Sequence, residues 1–424
     1  MSIAGFDFGT SNSALGIINQ GESVLVPLEG QNQIIPSAIF YNIEDDERRP
    51  EKIFGRKALS YYVDGYEGRL MRSLKSLLGT SLIHEKTQIG KQNVEFAQIL
   101  QDFLQHAKHQ AEIYAQQNLT HLVCGRPVYF IDEDEIADKK AQDFLEDLLK
   151  KIGFQQIEFV YEPVAAAMDF ERTITQEHLA LIVDIGGGTS DFSVIKVSPD
   201  GMKRLNRLED ILANDGVHIG GNDFDRLLNI FKVMPFLGYK STIRGDFGNH
   251  HLDIPVGYFH DLATWHKINF LYTDAIKREF ENISRKSLSP ELWNRFIKII
   301  EQRDGHRLAL DVEKAKIALT TYEQYDIMLD YVEKQFCVPV TTQDLNQSLE
   351  ESIQKIEQAI DKTLQQAGVT AEKINVVFLT GGGTYLPAIS QMVKRKIPQA
   401  DYQTGNHFGS IATGLTECAK YYFQ

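Results

Sequence analysis

The sequence predicts an α/β protein of two lobes facing one cleft, and three observations predict it. LIVDIGGGTSDFSVIKV, residues 181–197, ends an apolar run on Asp184, turns on Gly186, Gly187 and Gly188, and starts a second apolar run after Asp191. FDFGTSNSALGI, near the start, repeats the order strand, Asp, x, Gly, hydroxyl residues, strand. FLTGGGTYLP adds a third glycine turn at 381–383. A single glycine turn after a strand is more often a plain hairpin. Three such turns, two of them preceded by Asp, point to a nucleotide held between two α/β lobes.

Residues 3–8 and 14–18 read as strands around GTSNS, with further short strands at 23–27 and 36–41. EDDERRPEK, 44–52, is a charged surface loop, and helical pattern dominates 95–117. THLVCGRPVYF, 120–130, reads as a buried strand leaving through Pro127. DEDEIADKKAQDFLEDLLKKIG then carries acids in front, lysines behind and Gly153 as a stop, the order that complements a helix dipole. QIEFVYEP is the next strand and VAAAMDFERTI the next helix. This half, 1–178, is expected to form lobe I, and 179–424 lobe II.

Lobe II opens on the glycine hairpin, which DGMKRLNRL extends toward a meander, and GGNDFDRLLNIFKVM begins a helix. From about 232 to 310 the chain is rich in aromatics and histidines and then helical, which reads as an insertion. Farther on, Leu345, Leu349, Ile353, Ile356, Ile360 and Leu364 recur in steps of three and four on one helix face, closed by Gly368. INVVFLTGGGTYLPAISQMVKRKI is strand, glycine turn and helix, with Pro387 in the first helical turn. A last helix, about 409–422, is expected to return to lobe I.

A chain of 424 residues is too long for one ordinary core. Its formal charge of −14 argues against a large nucleic-acid or anionic-membrane surface. Three distant cysteines suit a reducing compartment without a disulfide scaffold. The start MSIAGFDFGT lacks a signal-peptide pattern, and no apolar run reaches the roughly 18 residues of a membrane span, so a cytoplasmic protein is expected.

The turns suit polyphosphate chemistry. Glycine lets backbone N–H groups approach phosphate oxygens closely. Mg²⁺ keeps several waters and takes one or two carboxylates, a role that Asp7 and Asp184 at equivalent strand ends fit, acting through waters. Thr10, Ser11, Ser13 and Thr189 add hydroxyls, and Asp191 and Glu162 could orient a water or the metal shell. Neither a P-loop nor a GxGxxG opening a helix occurs. His250, His251, His260, His266 and His306 lack the spacing of a zinc site and read as ordinary histidines. Tyr258, Phe259, Trp265, Phe270 and Tyr272 read as the core of an extra subdomain, and that region is also the first place to look for a protein partner.

The ordered set FDFGTSNS, VYEPVAAAM, VDIGGGTSDFSVI, HIGGNDFD, EKAKIALT and FLTGGGTYLP resembles the nucleotide-binding motifs of DnaK-type heat-shock chaperones in the actin-like ATPase superfamily. The insertion and the length resemble the YegD-like branch. The resemblance implies two actin-like, ribonuclease H-like lobes around ATP or ADP with Mg²⁺. It implies that Asp7, Gly9, Thr10, Ser11 and Asn12 form a first phosphate hairpin, and Gly186, Gly187, Gly188, Thr189 and Asp191, after Asp184, a second. Glu162 and Pro163 match the first connection between lobes, Gly220 and Gly221 the HIGGNDFD motif, and Glu313, Lys316 and Thr320 a helix at the ribose and adenine. Gly381, Gly382 and Gly383 match the adenosine loop, where Tyr385 could stack on the base.

Two departures accompany the resemblance. The family's catalytic lysine is expected in a Gly-x-x-Ala-Lys motif, where FGRKALSYY places Leu59; Lys57 falls two residues early, and Lys75 matches a later family lysine. NHFGSIATGL offers Phe408 and Gly409 where the second connection usually carries an acid. No acidic-leucine linker or β-rich peptide-binding domain follows up to YYFQ, so foldase activity is not expected of these residues. The expected function is ATP binding with slow Mg-dependent hydrolysis in a chaperone-like switch, with Glu162, Asp184, Thr189 and Asp191 at the chemistry. A nucleotide sensor without turnover and a small-molecule kinase are the alternatives.

Overall fold

The computed structural model describes residues 2–131, 134–171, 173–201, 204, 207–245, 250–403 and 409–423, with Asp169 given by its backbone alone. The chain forms two compact units. One comprises residues 1–218, 356–384 and 390–424, the other 219–355 and 385–389.

Two sheets of the same plan build the first unit. In one, Ile3–Phe8, Asn12–Asn19 and Glu22–Leu25 form an antiparallel meander, and Ile3–Phe8 takes His121–Arg126 and then Gln156–Tyr161 as parallel neighbours on its other side. In the other, His178–Ile185, Ser190–Val197 and Ile211–Val217 form the meander, and Val376–Thr380 and Asp401–Gln403 are the parallel neighbours. Both central strands are buried on both faces, as parallel neighbours covered by helices require. In each, an acid is the next-to-last residue of the strand, two residues before the first glycine of the turn. Asp7 lies opposite Ala14, and Asp184 opposite Asp191. The repeat seen in the sequence is therefore a repeat of sheet topology.

The boundary expected at 178/179 falls one residue into the first strand of the second sheet, and both sheets lie in one compact unit. The reason is a shared apolar cluster. Val123 and Val160 from the first sheet, Ile182, Ile195 and Phe378 from the second, and Val164, Ala165, Ile411 and Leu415 from two helices belong to it. Those helices are Glu162–Glu171 and Ser410–Tyr422. The second approaches very closely: a Cβ built on Gly414 would fall on the carbonyl of Ala165, and one on Gly5 or Gly16 would fall on Thr416. The helix at 135–151 begins under Asp134, whose carboxylate accepts the Ala137 N–H at 2.9 Å. Glu135 and Asp138 lie in its first turn and Lys150 and Lys151 in its last.

The second unit runs from a helix at Gly221–Leu228 through a hairpin, Thr242–Arg244 with His251–Asp253, into helices at Gly257–Ala263, Asp274–Lys286, Pro290–Glu301 and Gly305–Ala318. The buried aromatic core is Phe259, Phe280, Trp293 and Phe296, with Trp293 and Phe296 stacked at 4.8 Å; of the aromatics expected there, Phe259 belongs to it while Tyr258, Trp265 and Tyr272 are only half-buried. Phe270, expected in that core, is 66% exposed. Buried His306 has its Nε2 3.0 Å from the Trp265 carbonyl oxygen, and no group of three or more metal-ligating side chains occurs among the described residues. Gly368 has φ +65°, so it ends the Thr342–Gln366 helix in the left-handed region. No helix among the described residues is long and apolar enough to cross a membrane.

Candidate active site

The first hairpin turns through Gly9, Thr10 and Ser11. A Cβ on Gly9 would fall on the carbonyl of Asn12, so only glycine fits this turn. Ser11 Oγ is buried and has no hydrogen-bond partner among the described residues. An orphaned buried hydroxyl in a tight glycine turn is the kind of vacancy in hydrogen bonding that a phosphate oxygen would satisfy. The second hairpin closes with the Gly186 N–H donating to the Thr189 carbonyl at 2.9 Å, and Thr189 Oγ1 donates to Asp191 Oδ2 at 3.0 Å. A Cβ on Gly188 would meet no described atom within 4 Å, which leaves room above the turn.

The third turn packs directly on the second hairpin. Gly381 has φ +75°, and a Cβ there would approach Asp184 Oδ1 at 2.7 Å. Thr380 lies beside Asp184 in the parallel register.

Between the hairpins sits a residue the sequence reading set aside. Lys75 Nζ donates to Glu162 Oε1 at 2.7 Å, with both side chains nearly buried. Glu162 is the first residue of its helix, where an acid is favoured by the helix dipole. Lys75 sits in the short turn Leu74–Leu77, anchored by the buried Leu74 and by Leu78 just beyond it. Lys75, matched in the sequence to a later family lysine, is thus the lysine that stands beside Glu162. Leu59 instead packs against Ala38, Phe40, Ile53 and Ala58, while Lys57 is exposed above the Tyr61 ring at 5.3 Å. The signal was present in RSLKSLLG: a lone lysine among leucines is placed by its neighbours, and those neighbours are buried.

The charges around Lys75 do not balance. Burial raises the Asp7 carboxyl well above its ordinary range, Glu162 and Asp184 add repulsion, and Lys75 opposes them. Asp184 is pushed up to about 7, first by burial and then by Asp191 and Glu162, against the Thr380 hydroxyl and Lys75. Burial would discharge Lys75, but Glu162 and then Asp7 hold its ammonium above the usual lysine value. Burial also pushes up the Cys124 thiol, which therefore stays neutral beside them. Three carboxyls thus face one ammonium in a poorly solvated place, a setting that a further cation would relieve.

Six further sequence-selected residues, Gly220, Gly221, Glu313, Lys316, Thr320 and Tyr385, lie in the second unit. Gly220 N–H donates to Asp223 Oδ2 at 3.1 Å at the start of the Gly221–Leu228 helix. Lys316 Nζ donates to Asp225 at 2.8 Å and to the Gly221 carbonyl at 3.1 Å, which ties the 305–318 helix to that start. Thr320 Oγ1 donates to the Ile317 carbonyl at 2.7 Å; Glu313 is half-buried and Tyr385 is 43% exposed. Gly187 and Gly382 lie within the second and third turns. Phe408 lies outside the described residues.

The family model described as "Hsp70 protein" matches residues 3–239 and 297–419, which skips the centre of the insertion. The chain is 24% identical to a "Chaperone protein dnaK" of Gracilaria tenuistipitata var. liui over 433 aligned residues, covering 97% of this chain and 59% of that relative. The chain thus spans about three-fifths of the curated relative it matches. Neither finding reaches the YegD-like branch.

Proposed function

The chain belongs to the Hsp70 family, and on that premise we propose that it binds ATP with Mg²⁺ and hydrolyses it as a chaperone-like nucleotide switch. The observation that carries this reading is the buried Lys75–Glu162 pair facing Asp7 and Asp184 beside two glycine hairpins.

Asp7 and Asp184 would hold Mg²⁺ through its waters; bound there, the ion neutralises phosphate charge. The Gly9–Ser11 and Gly186–Thr189 turns bind phosphate through backbone N–H groups and the Ser11 hydroxyl. Lys75 brings a fixed positive charge to the phosphate being transferred, and Glu162 holds that ammonium in place. Thr189 and Asp191, already hydrogen-bonded to each other at 3.0 Å, orient the attacking water, and Asp191 accepts its proton. Gly381, Gly382 and Gly383 would line the adenosine side of the phosphate turns, and the family resemblance assigns ribose and adenine contacts to Gly220, Gly221, Glu313, Lys316, Thr320 and Tyr385. Catalysis here is positioning plus electrostatics, without a covalent intermediate. The expectation of slow or absent turnover rested on Leu59, and Lys75 removes its motive. A protein partner at the aromatic-rich insertion remains part of the proposal.

Single-turnover hydrolysis of γ-labelled ATP with Mg²⁺ tests the reading, with ATP and ADP affinities measured alongside. Wild type is expected to bind both nucleotides and release labelled phosphate. Lys75→Met and Asp184→Asn should slow the chemical step by roughly 100-fold or more, the usual cost of removing a preorganised charge at a transition state. Lys57→Ala should match wild type. Failure to bind either nucleotide at low millimolar concentration overturns the reading, and wild-type turnover by Lys75→Met overturns the role given to that lysine.

A further inference from the structure

We propose that Ser37 is a positioning residue that sets which way the first phosphate hairpin presents its backbone N–H groups. This rests on the phosphate reading above and adds a residue outside both hairpins.

Ser37 follows the strand Ile34–Pro36, which runs antiparallel beside Asn12–Asn19 with Asn12 opposite Pro36 and Ser13 opposite Ile35. That register brings Ser37 to the foot of the turn, where it makes two bonds to it. Its N–H donates to the Ser11 carbonyl at 2.8 Å, and its Oγ donates to the Gly9 carbonyl at 2.7 Å. The hydroxyl has one proton, and Gly9 takes it. The 2.9 Å contact between the Ser13 and Ser37 hydroxyls therefore has Ser13 as donor. Both serines are buried, at 1% and 2% exposure, so no solvent competes for these bonds.

The consequence follows from peptide planarity. In a trans peptide the C=O and the next N–H point in opposite directions. Ser37 draws the carbonyls of Gly9 and Ser11 to its own side, so the N–H groups of Thr10 and Asn12 face the other side. Alternate peptides of one turn are thus oriented by one residue. On the same turn Ser11 Oγ stays buried without a partner among the described residues, which marks it as waiting for an acceptor or donor from a ligand. With Ser37 removed, the Gly9 peptide is free to turn, and the phosphate cradle loses its orientation without losing any group that touches phosphate.

The test uses the full chain and measures affinity for ATP, ADP and adenosine in wild type, Ser37→Ala, Ser37→Thr and Ser13→Ala. Ser37→Ala is expected to weaken ATP and ADP about tenfold, the worth of one buried hydrogen bond, and to leave adenosine unchanged. Ser37→Thr keeps the hydroxyl and is expected to restore most of the loss. Ser13→Ala, which spares the bond to Gly9, should cost about threefold or less. Equal weakening of all three ligands would show a merely structural role and overturn the proposal. Unchanged ATP and ADP affinity in Ser37→Ala would overturn it while leaving the nucleotide reading intact. If Ser37→Ala does not fold, Ser37→Cys, whose thiol is a weaker donor to the Gly9 carbonyl, decides: a lowered ratio of ATP to adenosine affinity is expected, and an unaltered ratio overturns the proposal. Wild type that binds no nucleotide overturns the phosphate reading and this inference with it.

Discussion

His106 stacks flat on Phe54, with ring centroids 3.9 Å apart and planes 6° from parallel. Burial, then the neighbouring charge of His109, lowers its pKa to about 4 from 6.5, with Glu29 opposing. Between these values the unfolded chain binds a proton that the folded chain refuses. Stability from this residue is therefore full above about 6.5 and is lost as pH falls toward 4. His106→Gln should flatten the acid side of the stability profile between those pH values, as read by urea midpoints. An imidazole NMR titration showing a folded-state value near 6.5 would contradict this. Lys75 teaches a complementary lesson at the same scale. The leucines around Lys75 signalled that it is held in place, but its partner and that of Ser37 were not legible, because each lies far away in the chain, Glu162 at 87 residues and Gly9 at 28. The acids at strand ends were legible, because a carboxylate stopping an apolar run is costly unless something uses it.

Helix Ser410–Tyr422 shows how an element can be legible in extent and opaque in purpose. Its span was readable to within a residue or two, but a glycine within it reads only as a weak point. The structure gives Gly414 a reason: a Cβ there would strike the Ala165 carbonyl of the helix that begins with Glu162. Gly5 and Gly16 play the same part where the helix lies over the opening hairpin. In an exposed helix, Gly→Ala stabilises by about 0.5–1 kcal/mol. Here the sign should reverse. Gly414→Ala is expected to cost about 1–3 kcal/mol by forcing two backbones apart, seen as a lower urea midpoint at unchanged m. Because the displaced helix carries Glu162, ATP affinity should fall with it. A stabilised Gly414→Ala variant would show that the close approach is not tight.

Across the whole molecule, the two sheets share one plan, and each carries an acid as the next-to-last residue of its central strand. The repeat was readable because strand, Asp and glycine turn are local signals. That the two sheets share one apolar cluster was not, since it depends on helices contributed from distant stretches. The repeat doubles the negative charge while Lys75, which belongs to neither copy, supplies one ammonium. The imbalance makes a testable linkage. In metal-free protein the Asp184 carboxyl, raised from 3.8 to about 7, holds a proton that the unfolded chain has released. Its contribution to stability is present below about 3.8 and is lost as pH rises through 7. Mg²⁺ bound through waters at Asp7 and Asp184 would replace that proton, so its binding should release protons and tighten as pH rises. Thermal midpoints with and without Mg²⁺ should therefore diverge more at pH 8 than at pH 6, and Asp184→Asn should remove most of the difference. An equal Mg²⁺ shift at both pH values would mean that these carboxyls do not hold the ion, and the charge of the site would need another counterpart.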